Sequence, residues 1–233
     1  LRLWIVSIDF TDDLPISWEI LKGRAEPYRK IRNTFRILLG NLYDFDPSRH
    51  RVRELRDVDR WAVASLGGLI RRVTKHFEDY AFFRAYQELY QYCIVELSAL
   101  YIDILKDRLY TSLPDAPERR SAQTALYEIL AALVRLFAPI LCHTAEEVWD
   151  RLPGRTASSV HLADWPEPAP DEPEPRWATV WRVRAEVYRE LEKLRAAKAI
   201  GKSLEARVTL HAADAEVRSA LASTDLGVGG MEG

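Results

Sequence analysis

Residues 27–42, PYRKIRNTFRILLGNL, hold the side chains best suited to bind a polyanion. At about 100° per residue on a helix, Arg29, Arg32 and Arg36 fall side by side, with Asn33 beyond them. They flank an apolar stripe of Tyr28, Ile31, Phe35, Leu38, Leu39 and Leu42 at i, i+3, i+7 spacing. Guanidinium forks match phosphate oxygens two at a time, and an amide reads a base edge or a ribose. The same arrangement also serves a solvated face whose arginines pair with acids on a neighbouring helix. A second basic stretch, 182–198, places Arg182, Arg189 and Lys193 beside Arg184, Arg195 and Lys198. It reads either as a further polyanion contact or as an amphipathic helix with solvated cations.

Other motifs carry less. Ala199-Ile200-Gly201-Lys202-Ser203 lacks the upstream glycine of a phosphate loop, since position 196 is alanine. It also follows a helix where such a loop follows a strand. Gly201 reads instead as the residue that closes a helix C-terminus. His76, His143, His161, Cys93 and Cys142 have no zinc spacing, so no metal is expected. No serine–histidine–acid or paired-carboxylate set is spaced for catalysis. No catalytic residue and no cofactor site is therefore assigned.

Helices position these groups. The expected order is a helix over 17–42, opened by Ser17 and interrupted near 23–27, then helices over 57–79, 81–110 and 117–137. Gly67-Gly68 weakens the second by roughly 1 kcal/mol per glycine, which a close helix crossing or a kink would justify. The aromatic and apolar residues of 81–110 are read as core at helical spacing, and Lys106-Asp107-Arg108 as a charged end. Ala138-Pro139 breaks the fourth helix. Thr144-Ala145-Glu146-Glu147 reads as a capping box, with Thr144 as N-cap and Glu147 reaching back. An extended 160–162 then packs back toward the bundle. PEPAPDEPEP (166–175) is a stiff extended linker. Beyond it come a helix over 176–199, an alternating strand over 204–211, a short helix over 213–222 and an unstructured tail. The fold class is mainly α: a helical bundle, a proline-rich linker, then the start of a small α/β unit. The divisions are 1–20, 21–165, 166–175 and 176–233.

The 233 residues suffice for a real core, and 48% hydrophobic with 29% charged is ordinary globular composition. The net charge of −2 rules out a polycation, so a nucleic-acid site must be a local patch. Two distant, apolar-flanked cysteines fit a reducing compartment. The longest apolar runs fall short of a membrane span, so no membrane association is expected. The chain starts at Leu1, and its one methionine is Met231, which reads as a piece of a larger protein.

YRKIRNTFRILLGNLYDFDP resembles the opening of the anticodon-binding helical domain of the isoleucyl-tRNA synthetases, a class I family. LRLWIVSIDFTDDLPIS, LYIDILKDRLYTSLP, LAALVRLFAPILCHTAEEVWDRLP, SVHLADWPEP and AIGKSLEARVTL resemble the same family in the same order, up to about residue 211. KDRLY and the TAEEVW-like block are shared more loosely with valyl and leucyl relatives. The resemblance implies that 1–20 ends the catalytic half's connector and that the bundle binds an anticodon stem and loop. It implies a cytoplasmic protein whose partner is tRNA, the isoleucine acceptor, and neither DNA nor a membrane. Arg29, Arg32, Asn33, Arg36, Arg182, Arg189 and Lys193 become the expected tRNA contacts. ATP and magnesium, and the zinc module common in the family, belong to the parent enzyme. The signatures H-I-G-H and K-M-S-K-S are missing here, so this chain alone is expected to be inactive. Two other readings stand: the equivalent domain of a valyl-type synthetase, and a helical scaffold that binds protein without RNA.

Overall fold

The computed structural model describes residues 1–11, 13–202 and 205–225. Asp12, Ser203, Leu204 and the tail 226–233 lie outside them. The chain divides into two compact units, Leu1–Glu172 and Pro173–Leu226.

In the first unit, α1 (Arg2–Val6) and α2 (Trp18–Gly23) lead to α3 (Ala25–Asn41). The Ser17 side chain accepts from the Ile20 amide and so opens α2. The short α4 (Pro47–His50) precedes α5 (Asp57–Glu78). α6 (Phe82–Gln91), a π-helical segment (Tyr92–Tyr101) and α7 (Ile102–Thr111) follow one another without a break. α8 (Pro117–Phe137) and α9 (Cys142–Trp149) complete the bundle. α5 packs on α6 and α8, α3 on the π segment and α8, and α9 on α8 and α3. The stripe expected on α3 is buried at Ile31, Phe35, Leu38 and Leu42, and Phe35 meets Phe137 edge to face at 5.6 Å. The Cys93 thiol is fully enclosed, and burial pushes its pKa up to about 12.

The π segment departs from the plain helix expected over 81–110. Leu89, Cys93, Leu97, Tyr101, Leu105 and Leu109 are all buried. A strict four-residue spacing drifts about 40° per step around an α-helix, and a stretch of wider π turns takes that drift back. Ser98 Oγ supports it by donating to the Cys93 carbonyl at 2.7 Å.

Two polar knots tie the helices. Asp59, in the first turn of α5, is fully buried. It accepts from Tyr101 Oη at 2.7 Å, Ser121 Oγ at 2.6 Å, and both Arg108 terminal nitrogens at 3.0 Å. Arg108, expected to belong to a charged end, is interior and joins α7 to α5 and α8. Asp44, just past α3, takes Arg119 at 2.6 and 3.1 Å and the Gln123 amide at 2.7 Å. Burial pushes the Asp44 carboxyl up. The hydrogen bonds from Arg119 and Gln123, with the charges of Arg119 and Arg120, outweigh burial and hold it below its ordinary value.

Three local expectations are corrected. α9 begins at Cys142, before Thr144, with no side-chain cap, because Thr144 and Glu147 have partners on α3. Residues 160–162 form a 3-10 turn, not an extended segment, because Ser159 Oγ captures the His161 amide. Gly67 faces no crossing helix. The Ala169 carbonyl of the linker lies 3.1 Å from where its Cβ would be. Arg71 donates to that same carbonyl, and Trp165 Nε1 donates to Thr74, so residues 165–169 lie along α5. Gly40 on α3 has open space at that position. Gly40→Ala should therefore stabilise unit 1 by about 0.5–1 kcal/mol in denaturant unfolding. Gly67→Ala should fall short of that gain and raise proteolysis within 165–172, the segment its methyl displaces.

The second unit pairs α10 (Arg176–Ala196) with α11 (Ala215–Ala222). Trp177 stacks on Trp181 at 5.0 Å. α10 ends on Lys198 with φ 55°, not at Gly201, because the Ala199 amide already closes the end onto the Leu194 carbonyl. The strand expected over 204–211 is not found among the described residues. Positions 205–213 pair with no neighbouring strand, and Val208 and Leu210 are exposed. Alternation without a ladder partner leaves the backbone groups to water.

Candidate nucleic-acid interface

α3 carries four cations, Arg29, Lys30, Arg32 and Arg36, against Glu26 alone. Burying the apolar stripe fixes which flank faces out, so the predicted row sits on the surface of the bundle. Arg29 donates to Glu26 at 2.6 Å, one turn back. Arg36 donates to the Asn33 side-chain oxygen at 2.8 Å. The Asn33 NH2 remains available for another acceptor. Arg32 reaches across to α9 and grips Glu147 with both terminal nitrogens, at 2.6 and 2.7 Å. That pair keeps the Glu147 carboxyl below its ordinary range and raises the Arg32 pKa; in both, the shared hydrogen bond is the main cause. The acid on a neighbouring helix, weighed above as an alternative, is thus present for Arg32.

Sequence reasoning missed what α9 adds. Glu147 is also 3.9 Å from Arg151, whose Nη1 donates to the Glu147 carbonyl at 2.7 Å. Arg32, Phe35, Arg36, Leu39, Glu147, Val148 and Arg151 line a groove of about 330 Å³ between α3 and α9. Three guanidiniums and one carboxylate leave it positive. Exposed ion pairs of this kind contribute about 0–1 kcal/mol. An incoming phosphate can therefore draw a guanidinium off its carboxylate at little cost.

On the separate second unit, α10 carries six cations against three glutamates. Arg189 pairs with Glu186 at 2.8 Å and Lys193 with Glu190 at 2.6 Å, both within the helix. Arg182 is exposed. The seven predicted residues thus fall into two groups, four on α3 and three on α10. Among the described residues, no three His, Cys, Asp or Glu side chains are grouped to hold a metal ion. Among the described residues, no helix is long and apolar enough to cross a membrane.

Comparison with known proteins bears on what this surface meets. The family model for the anticodon-binding domain of tRNA ligase matches residues 59–210. The chain is 47% identical over 227 residues to an isoleucine–tRNA ligase of Halalkalibacterium halodurans, covering 95% of the chain and 24% of that relative. It is 49% identical over 219 residues to the isoleucine–tRNA ligase of Carboxydothermus hydrogenoformans. It is 48% identical over 231 residues to that of Geobacillus thermodenitrificans. The chain spans about a quarter of the length of the curated relatives it matches.

Proposed function

The chain belongs to the anticodon-binding domain family of tRNA ligases, and on that premise we propose that it binds the anticodon stem and loop of isoleucine tRNA within an isoleucine–tRNA ligase. The observation that carries this reading is the 47% identity over 95% of the chain to an isoleucine–tRNA ligase. The parent reaction couples ATP to the charging of tRNA with isoleucine. This portion supplies binding energy and discrimination, not bond chemistry, and works in the cytoplasm.

Phosphate contacts set affinity and register. Arg29, Arg32 and Arg36, joined by Arg151 across the groove, supply them on the bundle; Arg182, Arg189 and Lys193 supply them on α10. Asn33 reads a base edge or a ribose. The ATP, magnesium and zinc of the family act in other parts of the parent enzyme.

The test is affinity for an isoleucine tRNA and an unrelated tRNA across several salt concentrations. Wild-type binding should weaken steeply with salt. Arg36→Gln should reduce the salt slope by roughly one for both tRNAs while leaving the melting temperature unchanged. Asn33→Ala should instead narrow the preference between them with little change in slope. If Arg32→Gln lowers the melting temperature and spares the slope, Arg32 serves only its pair with Glu147. Binding that ignores salt and tRNA identity would sink the reading as a whole. The chain alone should give no isoleucine-dependent pyrophosphate exchange above a buffer blank.

A further inference from the structure

One end of the bundle exposes large side chains that the α3–α9 groove does not use. Tyr43, just past α3, is 79% exposed; Tyr110 at the end of α7 is 68% exposed and Leu113 is 77% exposed. Arg119 links the Tyr43 ring to the backbone that carries Tyr110 and Leu113. Its guanidinium carbon lies 6.0 Å from the Tyr43 ring centroid. The same side chain donates to the Leu109 carbonyl at 3.4 Å and the Pro114 carbonyl at 3.1 Å, on either side of Tyr110 and Leu113. Because Asp44 fixes Arg119, the Tyr43 ring rests on an anchored cation.

A basic strap borders this end. Residues 49–57 contain Arg49, Arg51, Arg53 and Arg56 against Glu54 and Asp57. The Val52 amide donates to Thr124 Oγ1 at 3.2 Å, and the Arg56 amide to Ser121 Oγ at 2.8 Å. The strap is thus held on the first turns of α8, beside Arg119 and Arg120. Arg51 pairs with Glu128. Arg49 and Arg53 are exposed, and neither side chain makes an ion pair or hydrogen bond with a described residue.

Exposed rings at one end of the bundle, one of them on an anchored cation and both near exposed arginines of the strap, match an unstacked nucleotide: a π-face for the base and charge for its phosphate. We propose that Tyr43 and Tyr110 form a stacking platform for unpaired loop bases of the bound RNA, with Arg49 and Arg53 on its flanking phosphates. This rests on the reading that the chain binds an anticodon stem and loop. It adds a second contact region, at the end of the bundle, to the α3–α9 groove.

The experiment measures binding of the chain to an RNA hairpin with an anticodon-type loop and to a blunt duplex of the same stem. Tyr43→Ala and Tyr110→Ala should each weaken hairpin binding about five- to a hundredfold and spare the duplex. Tyr→Phe at either position should stay within about twofold of wild type, since the ring is what stacks. A 2-aminopurine in the loop should be quenched on binding wild-type protein, a readout that needs no variant. Arg49→Gln and Arg53→Gln should each reduce the salt slope by roughly one. If wild type binds the hairpin but the alanine variants bind it equally well, the platform is wrong and the RNA reading survives. If phenylalanine costs as much as alanine, the hydroxyls bond and the rings do not stack. If wild type fails to bind the hairpin at all, the reading of function falls, and the platform falls with it.

Discussion

Arg108→Leu should destabilise the first unit by about 3–5 kcal/mol, because it strands the Asp59 carboxylate in the core. With the guanidinium gone, Asp59 keeps only the hydroxyls of Tyr101 and Ser121 as side-chain partners. Neither brings a charge. In a domain of this size that corresponds to a fall in melting temperature of about 6–20 °C. The partner substitution decides the cause. Asp59→Leu in the Arg108→Leu background removes the stranded charge, and apolar replacements of buried pairs are often neutral. The double variant should recover much of the loss in urea unfolding, a coupling that two independent packing defects would not produce. A loss below about 1 kcal/mol for Arg108→Leu alone would mean that the pair does not lock α5, α7 and α8 together.

Asp44→Ala should cost about 3 kcal/mol at neutral pH. It leaves Arg119 buried and facing a methyl, and it takes an acceptor from the Gln123 amide. Asp44→Asn should cost less, since an amide oxygen still accepts one of those bonds. The pH dependence separates charge from shape. The Asp44 carboxyl is depressed in the folded chain. Its contribution is therefore fully present above the unfolded value of about 3.9 and is lost as pH falls through the lower folded value. The gap in stability between wild type and Asp44→Asn should narrow steadily from about pH 5 downward. A gap that stays constant into acid would show that Asp44 acts through packing alone.

Much of the bundle was legible because its signals are local. The stripe at Ile31, Phe35 and Leu38 and the Ser17 cap each depend on residues within two turns of one another. The errors arise where a distant partner wins. Thr144 and Glu147 have capping-box spacing, yet a charged two-bond contact with Arg32, 115 positions away in sequence, is the stronger use of Glu147. Arg108 looks like surface because it stands in Lys106-Asp107-Arg108, and nothing nearby announces Asp59. Gly67 reads as a defect in α5 until the linker is seen lying against it. At the candidate interface, the α3 row was legible as chemistry but not its state, because the α9 side chains that answer it cannot be read from α3.

The π segment makes the length of the rod from Phe82 to Thr111 part of its message. In a variant lacking one residue between Tyr92 and Tyr101 but keeping the wide turns, the two halves would be turned by one residue's rotation, up to about 100°, relative to each other. Leu89 and Phe82 could keep their seats while Arg108 swung away from Asp59 and Tyr110 left the end of the bundle where it now stands. Substitutions in this stretch are therefore tolerable when they conserve volume, whereas a single-residue deletion changes what every residue after it faces. Related chains should accordingly vary freely in composition here and hold the residue count between Leu89 and Arg108 fixed.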